Sequence, residues 1–318
     1  MRYLTLLFIF SVFISCNQQE KKSATPTIGF LDAFEDETIA QAKKGFYDAL
    51  SQNGYREDSG TIKIIYRNAQ GDIPTLTQAV DYFISEKVKL IATNPTLSTI
   101  TAVQKTKDIP VFMMVAPSPR LAGLVDSSGQ QPKNLFGIYE TLGYIDTSVA
   151  LIKSVLPNAK TIGTIYNQSE PQSRAALKTI KMDCGKLGFV LIAQPVNNSS
   201  ETQLVMSSLV NKNIDAFFEM PDNVVFSSFE IISKSCGDKN IPVFTSEAGL
   251  VNRGALVAFG ADMYQWGFQA GEQAAKFLKQ GSLNGIEPEL VKVRKRIYNA
   301  SVAKQYNIVF DSTFTELK

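Results

Sequence analysis

The side chains that could bind a ligand lie in six short polar segments, each of which follows an apolar run typical of a β-strand. The segments are rich in small hydroxyls, amides and isolated carboxylates. A helix start offers free backbone N–H groups and the positive end of the helix dipole, which suit a carboxylate. An isolated acid suits an ammonium group. The six segments are residues 32–37, 93–98, 115–118, 167–173, 220–223 and 246–250.

These candidates also have a structural interpretation, because hydroxyls and acids at helix starts are typical N-caps. Thr96 and Ser98 suit a cap as well as a ligand contact, and the same holds for Glu170 and Ser173. Asp222 also suits a cap, although an isolated acid at a strand end could bind an ammonium group. Both interpretations stay open for all five residues.

Two further candidates close apolar strands. Glu247 follows the run at 241–245 directly and could be a local structural acid or a ligand contact. Tyr166 ends another apolar run, and a tyrosine there is as typical of a core as of stacking on a ligand.

Catalytic and metal chemistry lack their usual residues. The chain contains no histidine, which excludes Ser-His-Asp and Cys-His catalysis and His-ligated zinc. It has no G-x-G-x-x-G motif and no P-loop, and its carboxylates form no defensible acid–base pair. We therefore predict no catalytic residue, no metal site and no cofactor. An enzyme on a Rossmann-like scaffold remains an alternative that no motif favours.

The 318 residues are enough for two medium domains with separate cores. Hydrophobic residues make up 44% and charged residues 19%, as in ordinary globular proteins. The formal net charge is +2 and there is no long basic stripe, so we predict no nucleic-acid partner.

A repeat within the chain predicts the fold. Residues 27–55 and 161–189 align without a gap, each from Thr-Ile-Gly through an amphipathic run to a glycine and an aromatic residue. Ile-Pro-Val-Phe occurs at 109–112 and again at 241–244. Strand and helix patterns alternate in both halves, which is typical of a parallel sheet. The predicted fold is α/β, with two Rossmann-like lobes whose parallel sheets are joined by a multi-strand hinge.

Segments after the second repeat suggest that the chain crosses back between the lobes. We assign residues 27–138 with 261–284 to the N-terminal lobe and residues 139–260 with 285–318 to the C-terminal lobe. The carboxyl ends of the strands in both lobes would then face a shared cleft, where open α/β sheets bind ligands.

The first residues are typical of an exported lipoprotein. Residues 1–15 combine Arg2 with an apolar run too short to span a bilayer, as in a signal peptide. Cys16 follows as in a bacterial lipobox, so we predict that it is lipidated and that residues 16–26 form a tether. Cys184 and Cys236 are predicted to be buried free thiols, because their helices would pack on opposite faces of the sheet.

Several short segments, taken in order, resemble a known family. They are NAQGD at 68–72, KDIPV at 107–111, AGLV at 122–125, LPNAK at 156–160, YNQSE at 166–170, PDN at 221–223 and RGAL at 253–256. The chain resembles substrate-binding lipoproteins of ABC transporters with the type I periplasmic-binding-protein fold, in the family that includes tryptophan- and tyrosine-binding members. The resemblance covers residues 27 to about 314.

The resemblance implies a monomeric receptor that closes two lobes on a small ligand, often an aromatic amino acid, and delivers it to ABC permease subunits. It would be attached to the membrane by its N-terminal lipid. Two turns depart from the family pattern, at residues 116–119 and 246–248, and either could change the ligand. The implied ligand residues are Thr96, Ser98, Ser118, Tyr166, Glu170, Ser173, Asp222, Asn223 and Glu247.

Other functions fit the same fold. A ligand-sensing receptor, or a protein that binds a nucleoside or a sugar, would have the same two lobes. A LacI-like repressor would also share them, but no helix-turn-helix pattern precedes residue 27 and the leader directs the chain outward.

Overall fold

The computed structural model describes residues 25–317, whose strands form two sheets. The strands, numbered in chain order, are β1 (Thr27–Asp32), β2 (Lys63–Asn68), β3 (Leu90–Asn94), β4 (Val111–Pro117), β5 (Leu135–Glu140), β6 (Thr161–Asn167), β7 (Val190–Val196), β8 (Ala216–Glu219), β9 (Val243–Thr245), β10 (Val257–Ala261), β11 (Glu289–Leu290), β12 (Arg294–Tyr298) and β13 (Thr315–Glu316).

Helices lie between most of these strands. They are α1 (Glu37–Gln52), α2 (Ile73–Ser85), α3 (Thr96–Lys105), α4 (Ile145–Val155), α5 (Pro171–Leu187), α6 (Thr202–Leu209), α7 (Asn223–Ser227), α8 (Phe229–Gly237), α9 (Met263–Gln280) and α10 (Ala300–Gln305), with 3-10 turns at Ser199–Glu201, Val210–Lys212 and Ala248–Arg253. In the described part of the chain, none of the helices has both the length and the apolar character needed to cross a membrane.

The two sheets confirm the predicted α/β class. The first has the order β11-β5-β4-β3-β1-β2 with parallel pairs throughout. The second has the order β13-β12-β10-β9-β8-β6-β7. Its pairs are parallel except for β10 with β12. We call the units built on them the first and the second lobe.

The repeat read from the sequence is a repeat of structure. Strand β1 with helix α1 corresponds to strand β6 with helix α5, and Gly54 and Gly188 follow the two helices with positive φ angles of 85° and 76°. The glycine of each Thr-Ile-Gly also has a packing role. A Cβ atom on Gly29 would lie 2.8 Å from the ring of Phe83, so only glycine lets helix α2 pack this closely on β1.

The chain passes between the lobes after β5, between β10 and α9, and between β11 and β12. The sheets differ slightly from the expected boundaries, 27–138 with 261–284 and 139–260 with 285–318. Strand β5 continues to Glu140, and β11 pairs with its free edge, which places residues 139–140 and 289–290 in the first sheet. Ala261 ends β10 and so belongs to the second sheet.

Cys184 and Cys236 are both buried and unpaired, and they lie in separate apolar clusters of the second lobe. Burial raises the pKa of each thiol to about 12. The two residues therefore pack as small apolar side chains.

Helices α1 and α9 approach closely because glycines face the partner backbone. A Cβ atom on Gly45 would overlap the carbonyl oxygen of Tyr264, and one on Gly267 would overlap the carbonyl oxygen of Ala42. Helix α9 comes from the late part of the chain, so this contact fastens the returning segment to the first lobe.

We expect Gly267→Ala to lower the free energy of unfolding by about 1–3 kcal/mol, because the added methyl group forces the two helix backbones apart. Urea unfolding measures the change. The matched control is Gly185→Ala in helix α5, where a Cβ atom meets open space. That substitution should raise the free energy of unfolding by about 0.5–1 kcal/mol. Similar effects at the two positions would contradict the close approach.

Candidate ligand-binding cleft

A cleft, here called the main cleft, lies between the lobes at the carboxyl ends of their strands. Its empty space, including the part open to solvent, is about 590 Å³. Both lobes contribute to a mainly apolar wall. The apolar side chains are Ile39, Pro95, Val115, Met263 and Trp266 of the first lobe and Leu142, Pro221 and Phe226 beside or within the second.

Among the acids that line this cleft, Glu247 has the fewest hydrogen-bond donors in the described part of the chain. It follows strand β9 and is only 6% exposed. Its Oε1 accepts a long hydrogen bond of 3.3 Å from the Tyr144 hydroxyl, and its Oε2 has no partner among the described residues. Burial, with a smaller effect from Glu140, raises the pKa of Glu247 to about 8. Its carboxylate needs a donor that a ligand could supply.

Two further buried side chains near Glu247 in the fold also carry a polar atom without a hydrogen-bond partner in residues 25–317. Glu219 at the end of β8 is fully buried and accepts from the Thr245 hydroxyl, while its Oε1 is unpartnered in residues 25–317. The Ser246 hydroxyl is likewise buried and unpartnered there. Burial and then the Glu247 charge raise the pKa of Glu219 well above its usual value. Burial and the neighbouring acid thus both favour the protonated form of Glu219.

Glu140 is an acid of the cleft that is already paired. It ends β5, and Arg294 at the start of β12 binds both of its oxygens, at 2.7 and 2.8 Å. The Thr141 N–H adds a third hydrogen bond at 2.7 Å. Burial still raises the pKa of Glu140, against the effect of Arg294. This bidentate pair joins two hinge segments and leaves Glu140 little capacity for a ligand.

Asp222 is a helix cap, as one of its two interpretations held. Its Oδ1 accepts from the N–H groups of Val224 and Val225 at 2.9 and 3.0 Å, at the start of α7. Its Oδ2 accepts from the Asn167 N–H at 2.6 Å and from the Ser173 hydroxyl. These four donors satisfy the carboxylate. Loss of Asp222 would therefore disturb the fold of the second lobe, and its place in the cleft wall is secondary.

Helices that start at the cleft without a side-chain cap in the described chain include α3, α5 and α4, whose N-cap residue is Tyr144. Helix α3 starts at Thr96 after Pro95, and helix α5 starts after Glu170. Ser98 bonds the Pro95 carbonyl at 2.6 Å instead of capping a free N–H. By contrast, Asp36 and Asp262 cap helices α1 and α9. The start of α3 therefore offers uncapped N–H groups beside the Thr96 hydroxyl, an arrangement suited to a carboxylate.

A smaller side cavity adjoins the main cleft and shares Thr96, Gln172 and Asn223 with it. Glu170 lies in its wall and accepts from the side-chain amides of Asn223 at 3.0 Å and Gln172 at 3.2 Å. Burial, and then the Asp222 charge, raise the pKa of Glu170 to about 7. The rest of the wall is mainly apolar, from Phe34, Leu97, Ile100, Leu121, Ala122 and Pro171.

The structure separates the residues predicted for the site into groups. Thr96, Asp222, Asn223 and Glu247 line the main cleft. Glu170 lines the side cavity. Neither space is lined by the remaining four, which are Ser98, Ser118, Tyr166 and Ser173.

These four residues have local roles. Ser98 and Ser173 are buried and bonded within the protein, and Ser118 accepts from the Leu121 N–H at 3.4 Å. Tyr166 borders a surface groove beside Arg174. A tyrosine at the end of β6 could face either side of the sheet, and packing on the second-lobe core decides its side.

Sequence reasoning missed several cleft residues. Tyr144 and Glu140 lie on the first connection between the lobes. Trp266 is buried and donates its indole N–H to the Ile138 carbonyl at 2.9 Å, and it also lines the cleft. The sequence did contain a signal for Glu140 and Tyr144, because an acid and an aromatic residue lie on the connection between the two repeats.

The pH dependence of stability tests the state of Glu247. Its folded pKa of about 8 exceeds its ordinary value of 4.5, so the folded protein binds the extra proton between these values and loses stability as pH rises. Glu247→Gln removes this loss. We expect the variant to gain on the order of 4 kcal/mol over the unliganded parent protein between pH 5 and pH 9 in urea unfolding. The control is Glu86→Gln at an exposed position, whose free energy of unfolding should follow that of the parent protein at every pH. If the free energy of unfolding of Glu247→Gln also runs parallel to that of the parent, Glu247 does not have a raised pKa in the folded protein.

Comparisons with known proteins agree with this geometry. The model of the ABC transporter substrate binding protein family matches residues 27–316. The chain is 35% identical over 288 residues to the tyrosine-binding protein of Clostridioides difficile strain R20291, covering 91% of this chain and 83% of that protein. The family resemblance read from the sequence is thus confirmed.

Two solved structures extend the comparison. The ligand-free, open structure of a Clostridium difficile substrate binding protein with adhesive properties is 32% identical, with a TM-score of 0.71 and coverage of 92% of this chain and 99% of that one. The Streptococcus pneumonia ABC domain in complex with L-Trp is 24% identical, with a TM-score of 0.81 and coverage of 91% and 97%. The second likeness shows the fold alone. With its two mostly parallel sheets and a family match over nearly all described residues, the chain belongs to the ABC transporter substrate-binding proteins and has the type I periplasmic-binding-protein fold.

Proposed function

We propose that the main cleft binds an L-amino acid with a large, aromatic side chain and that the protein passes it unchanged to ABC permease subunits. The observation that carries this proposal is Oε2 of Glu247, which has no partner among the described residues and belongs to a buried acid in the wall of a mainly apolar cleft. An ammonium group supplies both the charge and the donors that this carboxylate lacks. Members of the family act outside the cytoplasm.

The groups around the cleft suggest how a zwitterion lies in it. Its ammonium donates to Glu247, close to the Tyr144 hydroxyl. Its carboxylate accepts from the uncapped N–H groups of helix α3 and from Thr96. Its side chain occupies the apolar space beside Trp266 and Phe226. The ammonium group is placed on Glu247 and not on Asp222, because four donors within the protein already satisfy Asp222.

The relatives support an amino acid over a sugar. The C. difficile relative is named for tyrosine, and the S. pneumonia structure holds L-Trp. Proteins that bind 5-methylthioribose and myo-inositol share only the fold, at 14% and 15% identity. A polyol needs many polar side chains around its hydroxyls, and the wall of this cleft is mainly apolar.

The membrane attachment stays a proposal. Cys16, the expected lipidation site, and the signal at residues 1–15 lie outside the described residues. The residues around Cys16 resemble a lipobox, and a lipid there would hold the receptor near its permease through the tether at 16–26. We propose that the receptor acts as a monomer in this position.

Binding measurements with matched ligands test the role of Glu247. We expect L-tyrosine or L-tryptophan to bind the purified protein, and Glu247→Gln to weaken binding about 30- to 1,000-fold in calorimetry, because a buried charge pair is lost. The control ligand is 3-(4-hydroxyphenyl)propionate, which is tyrosine without its ammonium group. It should bind the parent protein and the variant equally weakly.

Undiminished affinity of Glu247→Gln for the amino acid would remove Glu247 from the site. If a thermal-shift screen of amino acids, nucleosides and sugars shows stabilisation only by a nucleoside or a sugar, the family assignment stays and the amino acid is discarded.

Acylation is tested separately. We expect the parent protein, expressed in a bacterium with its leader, to incorporate labelled fatty acid and to sediment with membranes, because the thiol of Cys16 carries the lipid. Cys16→Ser should abolish both. A matched Cys184→Ser variant, which changes a buried thiol, should leave both unchanged. Labelling of the Cys16→Ser variant would contradict the lipobox interpretation.

A further inference from the structure

An ion pair joins the two lobes outside the cleft. Arg253 ends the 3-10 turn Ala248–Arg253 of the second lobe, and Asp36 precedes helix α1 of the first lobe. The Nη1 atom of Arg253 lies 2.6 Å from Oδ2 of Asp36. The two side chains are only 11% and 9% exposed. Neither residue lines the main cleft or the side cavity.

The second lobe holds Arg253 in place. Glu230 of helix α8 accepts from Nε at 2.7 Å and from Nη2 at 2.9 Å. The guanidinium also lies 5.5 Å from the ring centre of Phe226 and 5.6 Å from that of Phe229. These contacts lie within one lobe, so they do not depend on how the lobes are placed. The arginine is therefore orientated in advance toward the first lobe.

Asp36 is equally well fixed on its side. Its Oδ1 accepts from the N–H groups of Thr38 and Ile39 and so caps helix α1, which leaves Oδ2 for Arg253. The lobes also touch beside this pair. A Cβ atom on Gly249 would overlap the methyl group of Thr38, so a glycine is needed at this point of the interface. Direct packing of the two lobes therefore shields the ion pair from solvent.

We propose that Arg253 is a positioning residue that favours the closed arrangement of the lobes through its pair with Asp36, without touching the ligand. Separating the lobes breaks only the contacts with the first lobe and keeps those with Glu230, Phe226 and Phe229. The pair therefore stabilises the closed form and contributes nothing to the open form. A ligand held by both lobes binds in proportion to the closed fraction, so Arg253 sets affinity without setting selectivity.

An ion pair at the hinge behaves differently. Arg294 and Glu140 lie on β12 and β5, the hinge strands next to the chain crossings. A contact at the hinge stays short while the lobes rotate. Arg253 and Asp36 are 217 residues apart in sequence and contact each other only where the two lobes pack together.

Calorimetry with two ligands tests the proposal. We expect Arg253→Gln to weaken L-tyrosine and L-tryptophan by the same factor, about tenfold, which lies between the effects of an exposed and a buried pair. Asp36→Asn should act similarly, because asparagine keeps the helix cap and loses the charge. Arg253→Lys should restore part of the affinity. The matched control is Lys105→Gln, whose ion pair with Asp81 lies within the first lobe, and it should change nothing.

Two results would overturn the proposal. One is an unchanged affinity in both Arg253→Gln and Asp36→Asn. The other is a change in the ratio of the two dissociation constants, which would mean that Arg253 acts on the bound ligand, directly or through Phe226 in the cleft wall. Unfolding curves of each variant show whether a lost affinity reflects a lost fold instead.

The calorimetric test rests on the proposed function, because that function determines the choice of ligands. A measurement without ligand tests the role of Arg253 independently of it. A nitroxide on Ser227→Cys, an exposed position of helix α7, relaxes the amides of helix α1 when the lobes are closed, and such relaxation registers even a minor closed population. We expect weaker relaxation in Arg253→Gln than in the parent protein. If neither amino acid binds, the proposed function fails and the relaxation measurement alone tests the role of Arg253. Equal relaxation in Arg253→Gln and in the parent protein would overturn that role.

Discussion

Parallel strand pairing is the constraint on which the cleft depends. Within each sheet the strands that precede cleft residues run in one direction, so their carboxyl ends meet at a common edge. Three chain crossings keep the two edges opposite each other. The close contact of α1 with α9, which glycines permit, fastens the returning chain to the first lobe. Helix starts and strand ends therefore supply the polar groups of the cleft, and their neighbours supply its apolar wall.

The buried acids around the cleft differ in how completely the protein satisfies them. Asp222 has four donors, and Glu140 has a bidentate arginine and a backbone N–H. Glu247 has one long hydrogen bond and a free oxygen. Burying such a group costs stability, and a folded protein normally pairs it. An acid left in this condition inside a cleft has the capacity to accept a hydrogen bond from outside the protein.

Ligand affinity in a protein of this family combines two contributions. One is the set of contacts that the ligand makes with both walls of the cleft, which exist together only when the lobes are close. The other is any contact that the lobes make with each other outside the cleft. The pair of Arg253 with Asp36 belongs to the second kind, because its atoms face one another and not the cleft. Separate residues can therefore govern selectivity and overall affinity.

The sequence alone determined the α/β class, the two lobes and the family, because a repeated strand–helix pattern and ordered short segments survive without any knowledge of contacts. It also indicated the strand ends as the edge of the site. It could not rank Asp222 against Glu247, since both are acids after an apolar strand and their difference lies in donors from distant segments: Asn167 and Ser173 for the first, Tyr144 alone for the second. The side of the sheet that Tyr166 faces and the dual role of Trp266 also depended on packing between remote elements. Tertiary structure decided these points because the satisfaction of a buried polar group is a property of its surroundings and not of its residue type.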